Sequence, residues 1–182
     1  MVAERRHVAL IGMAGVGKTS VGRRVARALH SEWVDLDSSI EQRTGRTVEE
    51  LFAGVGERGF RSAETDALAD LFGEVKPQVV STGGGAVLSA RNADLLRHGA
   101  FTVWLRASDE TLVARLKRSN KVRPLIAGDV AGNVARLNRE RADAYERCAD
   151  AVVDVDDLKI DEVVRRVVAE IPSIADAPAP AP

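Results

Sequence analysis

Short apolar runs alternate along the chain with longer stretches in which apolar positions recur every three or four residues. That alternation predicts strands separated by helices, the order of a parallel sheet wrapped by helices. His7 to Ile11 reads as a first buried strand, closed by the glycine-rich segment Gly12 to Gly17. From Lys18 to Leu29, Val21, Val25, Ala28 and Leu29 repeat at helical spacing, with Arg23, Arg24 and Arg27 elsewhere. Trp33-Val34-Asp35 is a short second strand, after which Ser38 is expected to cap a helix that Gly45 ends. Val48 to Phe52 predicts another short helix. A glycine-studded turn at Gly54, Gly56 and Gly59 then separates it from a helix over Phe60 to Phe72 that buries Leu68, Leu71 and Phe72.

The second half repeats the pattern. Gln78 to Ser81 is a third strand running into Thr82-Gly83-Gly84-Gly85, Arg91 to His98 a helix, and Phe101 to Leu105 a fourth strand. Ser108 caps the next helix, with Asp109 and Glu110 placed where the helix dipole favours anions. Residues 119–132 hold a proline and two glycines and read as a loop longer than a plain connection needs. A long polar helix follows over Asn133 to Ala149, then a strand over Ala151 to Val155 and a helix over Ile160 to Ile171. The Ala-Pro tail, residues 175–182, has nothing to bury and is expected to be disordered.

Composition narrows the function. A chain of 182 residues fits one domain over residues 1–174, large enough for a core without disulfide or metal staples. With 26 basic and 27 acidic side chains and 4% aromatics, it has neither the basic excess nor the stacking surface of a nucleic-acid binder. The single cysteine, Cys148, cannot form an intrachain disulfide and reads as a packing residue, which fits a reducing cytoplasm. The apolar run at Val8 to Ile11 is too short for a signal-peptide core or a membrane span, so a cytoplasmic domain with no membrane partner is expected.

Gly12-Met13-Ala14-Gly15-Val16-Gly17-Lys18-Thr19 matches G-x-x-x-x-G-K-[ST] between a predicted strand and a predicted helix, the context a phosphate-binding P-loop requires. Glycines let backbone N–H groups point at phosphate oxygens, and the helix adds its positive end. Lys18 can then reach the β- and γ-phosphates and the Thr19 hydroxyl can ligate Mg²⁺. Gly12, Gly15, Val16, Gly17, Lys18, Thr19 and the adjoining Ser20 are thus the expected ATP contacts at this end. A GTPase is excluded, because Asn120-Lys121-Val122-Arg123 carries arginine where the guanine-reading aspartate belongs. The candidate D-x-x-G, Asp129 to Gly132, also comes after it.

The third strand ends in Ser81, so an acid supporting the metal must come from another strand end. Asp35 stands at one, with Asp37 two residues on, and each reads equally well as a helix cap. Three consecutive glycines, Gly83 to Gly85, carry an entropy cost and mark close approach of the main chain to something. Arg61 follows Gly59-Phe60, Arg123 precedes Pro124 in the long loop, and Arg141 stands one helical turn before Tyr145.

In this order, P-loop, D-x-D, G-F-R, G-G-G, R-P-L and R-x-x-x-Y, together with Ile40-Glu41-Gln42-Arg43-Thr44-Gly45, resemble the shikimate kinase family from Val8 to about Val168. The resemblance implies a three-layer P-loop fold like that of the nucleoside-monophosphate kinases. Its parallel five-stranded sheet would be flanked by helices, with a substrate-binding region at 38–72 and a lid at 119–132. It also implies transfer of the ATP γ-phosphoryl group to the 3-hydroxyl of shikimate, with Mg²⁺, by a monomer. Lys18, Asp37 and Arg123 match the family's catalytic positions. Asp37, Arg61, Gly83, Gly84, Gly85 and Arg141 match its acceptor site, and Thr19 with Asp35 behind it matches the metal site. The family's adenine-side arginine falls on Leu116, and the neighbouring Arg115 is the expected substitute. Two arginine forks suit a carboxylate and an aspartate suits hydroxyls. The alternatives are a same-fold kinase for another hydroxylated acid, of gluconate or cyclitol type, and a noncatalytic P-loop binder. The second is disfavoured because a binder needs no acceptor site.

Overall fold

The computed structural model describes residues 7–119, 126 and 128–172. Its elements are β1 (His7–Ile11), α1 (Lys18–Ala28), β2 (Glu32–Asp35), α2 (Leu36–Thr44), α3 (Val48–Gly73), β3 (Gln78–Ser81), a 3-10 turn (Ala86–Leu88), α4 (Ala90–Gly99), β4 (Ala100–Arg106), α5 (Asp109–Lys117), α6 (Val130–Cys148), β5 (Ala151–Asp154) and α7 (Ile160–Glu170). The five strands form one parallel sheet in the order β2-β3-β1-β4-β5. Every residue of β1 and β3 is buried, as expected of central strands covered on both faces. On the sheet, α1 packs against β3 and α7, while α4 and α6 pack on β4. The chain leaves β1 toward β2 and β3 on one side and toward β4 and β5 on the other. The carboxyl end of β1 is therefore the switch point at which such sheets open a crevice.

Three boundaries differ from the sequence-based expectation by more than a residue, each for a local reason. Helix α2 is capped by Asp35, not Ser38: Asp35 is extended, and its Oδ1 accepts from Ser38 N at 3.3 Å. The helices expected on either side of Gly54, Gly56 and Gly59 are both present within α3 and meet at a kink where Gly56 alone leaves helical geometry (φ 69°, ψ −179°), so the break is one residue rather than a longer turn. A mid-helix glycine costs only about 1 kcal/mol, which packing of α3 on α2 offsets. Helix α6 begins at Val130 rather than Asn133, because the Asp129 carboxylate accepts from Gly132 N at 2.9 Å and caps it early. In α1 and α3, Ala28 is exposed and Leu71 and Phe72 are half-buried, leaving Ala26 and Leu68 in the core.

A reciprocal pair starts α3: Thr47 N donates to Glu50 Oε2 at 2.8 Å, and Glu50 N to Thr47 Oγ1 at 3.2 Å. Cys148 is buried, and burial pushes its thiol pKa up, which fits a packing role. Half of the expected lid at 119–132, Arg123 included, and the 175–182 tail lie outside the described residues. Among the described residues, no helix is long and apolar enough to cross a membrane.

Candidate active site

A cleft of about 630 Å³ opens at the carboxyl end of the sheet, over the turn between β1 and α1. Gly12, Gly15 and Gly17 of that turn have φ of 134°, 86° and 111°, values that side-chain-bearing residues rarely adopt. Gly15, Gly17, Lys18, Thr19, Ser20 and Arg115 line the cleft, whereas Gly12 and Val16 are buried behind the lining. Lys18 is 9% exposed, and its Nζ donates to the carbonyls of Gly12 at 2.6 Å and Met13 at 3.0 Å. The ammonium is thereby folded back along the loop that would wrap a phosphate.

The Thr19 hydroxyl donates to Asp35 Oδ2 at 3.1 Å, while the other carboxylate oxygen caps α2. Both readings of Asp35, as a cap and as an acid beside the P-loop, therefore hold at once. A hydroxyl and a carboxylate held this close at a helix N-terminus are the hard oxygen donors that a divalent cation such as Mg²⁺ takes. Asp37 lies in the first turn of α2, half-buried and lining the same cleft.

The glycine triplet explains itself by proximity rather than by unusual backbone angles. A Cβ on Gly85 would stand 2.4 Å from Arg61 Nη2. On Gly84 it would meet Ala14 N at 3.3 Å and Arg141 Nη1 at 3.4 Å, and on Gly83 it would meet Glu64 Oε1 at 3.0 Å and Asp37 Oδ1 at 3.3 Å. The main chain of Gly83–Gly85 thus runs between Asp37 from α2, Arg61 and Glu64 from α3, and Arg141 from α6. Arg141 is 6% exposed, and its Nε has no hydrogen-bond partner among the described residues. Tyr145, one turn on, is buried and donates its hydroxyl to the Gly84 carbonyl. Burial pushes its pKa up to about 12, against the pull of the neighbouring Arg141.

Arg115 is divided between two carbonyls, Val16 at 2.8 Å and Val155 at 3.2 Å, so it ties the P-loop to the segment after β5. Leu116 packs under Gly15, where a Cβ would approach its Cγ at 2.9 Å. Arg139 and Arg147, which flank Arg141 in α6, are exposed.

These constraints can be compared with proteins already known. A family model described as shikimate kinase matches residues 14–172. A shikimate kinase from Pelotomaculum thermopropionicum is 38% identical over 164 residues, which cover 90% of this chain and 94% of that one. The chain belongs to the shikimate kinase family. A structure of shikimate kinase from Acinetobacter baumannii in complex with shikimate superposes with a TM-score of 0.85 at 31% identity, covering 91% of this chain and 92% of that one. A gluconokinase from Sinorhizobium meliloti superposes with a TM-score of 0.61 at 19% identity, covering 91% of each chain, and shares the fold alone.

In this shikimate kinase family member, Glu64 is the site residue that the sequence reading passed over. It is fully buried, lines the cleft, and accepts from Arg61 Nη1 through Oε2 at 2.8 Å, while Oε1 has no partner among the described residues. A signal existed: Glu64 falls between Phe60 and Leu68, both buried, at four-residue spacing on one helix face. Burial raises its pKa above the usual 4.5 and the nearby Asp37 adds to the rise, while the charge and hydrogen bond of Arg61 oppose it. The unfolded chain therefore ionises first as pH rises. The favourable contribution of Glu64 is complete below about pH 4.5 and is lost as pH climbs through the raised native pKa. Urea melts of Glu64→Gln across that range should lack this loss. The stability of the parent relative to the variant should thus fall with rising pH; a difference that stayed flat or grew would contradict the assignment.

Proposed function

We propose that this chain transfers the γ-phosphoryl group of ATP to the 3-hydroxyl of shikimate, giving shikimate 3-phosphate and ADP. The observation that carries the proposal is Arg141. It is a buried cation whose Nε lacks a partner among the described residues, and it meets Arg61 across Gly84 and Gly85 in the same cleft as the P-loop lysine. A buried charge is costly unless paired, so this arrangement favours an anionic ligand, and two guanidinium forks match a planar carboxylate. Membership of the shikimate kinase family supplies the identity of the acid.

Phosphoryl transfer asks the protein mainly to position the reactants and to neutralise charge. On this reading, Gly12, Gly15, Val16, Gly17, Lys18, Thr19 and Ser20 bind the ATP phosphates, with Arg115 on the nucleotide side. Lys18 exchanges its two carbonyl partners for phosphate oxygens, so its charge follows the transferring group. Arg123, from the 119–132 lid, adds a second cation there. Thr19 and, behind it, Asp35 would hold Mg²⁺, which supplies charge neutralisation on the phosphates. Asp37 orients the attacking hydroxyl and takes its proton as the new P–O bond forms. Arg61, Arg141 and the Gly83–Gly85 backbone hold the acceptor. Every residue named comes from one chain, so a monomer suffices.

The test is an ADP-release assay with shikimate, gluconate and quinate, each beside a control without acceptor. Shikimate is expected to raise ADP release far above the control, with the other two near it. A preference for gluconate would move the chain to the other acid-kinase reading. ADP release indifferent to every acceptor would discard the acceptor site.

A further inference from the structure

The carboxylate site proposed above has two halves that arrive from different parts of the chain. Arg61 comes from α3, and the Gly83–Gly85 backbone comes from the segment between β3 and α4. One buried side chain bonds a direct neighbour of each, Glu64 beside Arg61 and Ala86 after Gly85. Asn92, in the first turn of α4 and 0% exposed, donates from Nδ2 to Glu64 Oε2 at 3.3 Å and to the Ala86 carbonyl at 3.1 Å. Its Oδ1 accepts from the Thr65 hydroxyl at 2.7 Å. The two amide hydrogens thus meet two acceptors and the carbonyl oxygen meets a donor. A flipped amide would set an oxygen against both Glu64 and Ala86, so the orientation is fixed by its partners. Glu64 Oε2 is also the atom that receives Arg61 Nη1 at 2.8 Å.

We infer that Asn92 is a positioning residue for the acceptor site: through Glu64 it sets the Arg61 guanidinium, and through the Ala86 carbonyl it sets the glycine backbone against it. The reason is geometric. Glu64 is buried at the end of a flexible side chain, and Arg61 alone would leave the carboxylate free to pivot about their contact. Asn92 supplies a second, neutral donor from another element and closes that freedom. The same NH₂ group anchors the 3-10 turn that follows Gly85, so the spacing of fork and backbone is set before substrate arrives. Preorganisation of this kind appears as affinity, because less ordering is left to be done on binding.

The test uses Asn92→Leu, which keeps the volume and removes all three hydrogen bonds, with KM for shikimate and for ATP measured separately. The inference rests on the acceptor reading of the cleft, so Arg141→Lys is assayed alongside. If Arg141→Lys leaves the shikimate KM unchanged, the acceptor reading fails. If it raises that KM and Asn92→Leu does not, only the present inference fails. Asn92→Leu is expected to raise the shikimate KM about tenfold, the scale of one hydrogen bond to a charged group, with the ATP KM within about twofold. In a Glu64→Ala background the same substitution should add less, because the route through Glu64 is gone and only that through the Ala86 carbonyl remains. An equal rise in both constants, or an undiminished effect in the Glu64→Ala background, would show that Asn92 only supports the core. Should Asn92→Leu not fold, Thr65→Val removes the hydroxyl that holds Oδ1. It is expected to raise the shikimate KM about threefold, and an unchanged value would overturn the inference.

Discussion

Lys18→Met is expected to lower kcat by at least about 10²–10³-fold while the protein remains folded. Methionine is unbranched and of similar length, so it fills the same channel along the P-loop, where Lys18 is nearly buried. What it cannot do is carry charge to the phosphate. Without the ammonium, negative charge developing toward the leaving oxygen meets only backbone dipoles and the remaining cations. The ATP KM should change far less than kcat, since several N–H groups of the loop still face the nucleotide. The structure adds a second, smaller effect. Nζ donates to the carbonyls of Gly12 and Met13; removing it takes that donor from the Gly12 carbonyl beside the cleft, while the Met13 carbonyl keeps the Val16 N–H at 3.3 Å. That should cost about 1–3 kcal/mol of stability, read as a lower midpoint in urea. A folded variant turning over at a near-normal rate would remove Lys18 from the reaction.

The second large effect is expected at Arg141. Arg141→Lys keeps the charge and loses the planar fork, so it should raise the shikimate KM about ten- to a hundredfold, equivalent to one charged hydrogen bond of about 1.5–3 kcal/mol. Three features of the site push in that direction. Arg141 is buried, so water cannot replace a lost bond cheaply; its Nη1 lies beside Gly84, where a shorter ammonium does not reach; and its partner in the pair, Arg61, is already committed to Glu64. Varying shikimate and ATP separately decides the matter. A change confined to the ATP constant would assign Arg141 to the nucleotide and remove the main physical support for an acid acceptor.

Both predictions concern residues legible before any coordinates, and the reason is that their signals are local. The P-loop announces itself because a strand, a turn of fixed length and a helix must be contiguous to wrap a phosphate, so glycine spacing and lysine position are written within eight residues. The strands were legible for the same reason: an apolar run bounded by polar or glycine residues has one stable use, as a buried strand. Gly83–Gly85 could be read as a close approach of the backbone, because three glycines in a row have few other uses.

What approaches them could not be read from local spacing; only the family resemblance grouped Asp37, Arg61 and Arg141 with them, and Glu64 was missed. That Gly85 faces Arg61, Gly84 faces Arg141 and Gly83 lies between Glu64 and Asp37 depends on the strand order β2-β3-β1-β4-β5. That order brings residues far apart in the chain to one end of the sheet. Boundaries failed where two local signals competed. Asp35 and Ser38 are both good caps, and Asp35 serves because β2 ends there and Leu36 is drawn into the core. The glycines of α3 signal a break that packing on α2 overrides everywhere except Gly56.

Glu64 and Asn92 show the division most sharply. As letters they are a helical acid and a polar residue near a helix start, which usually face water. In the fold both are fully buried, and each becomes tolerable only because the other, with Arg61, Thr65 and the Ala86 carbonyl, supplies the partners that water would have supplied. The sequence by itself determined the elements and the nucleotide half of the site, since short-range spacing encodes both. Only the tertiary structure decided the buried polar network behind the proposed acceptor half, because its members lie on α3, α4 and the 3-10 turn and satisfy one another only once those elements have packed.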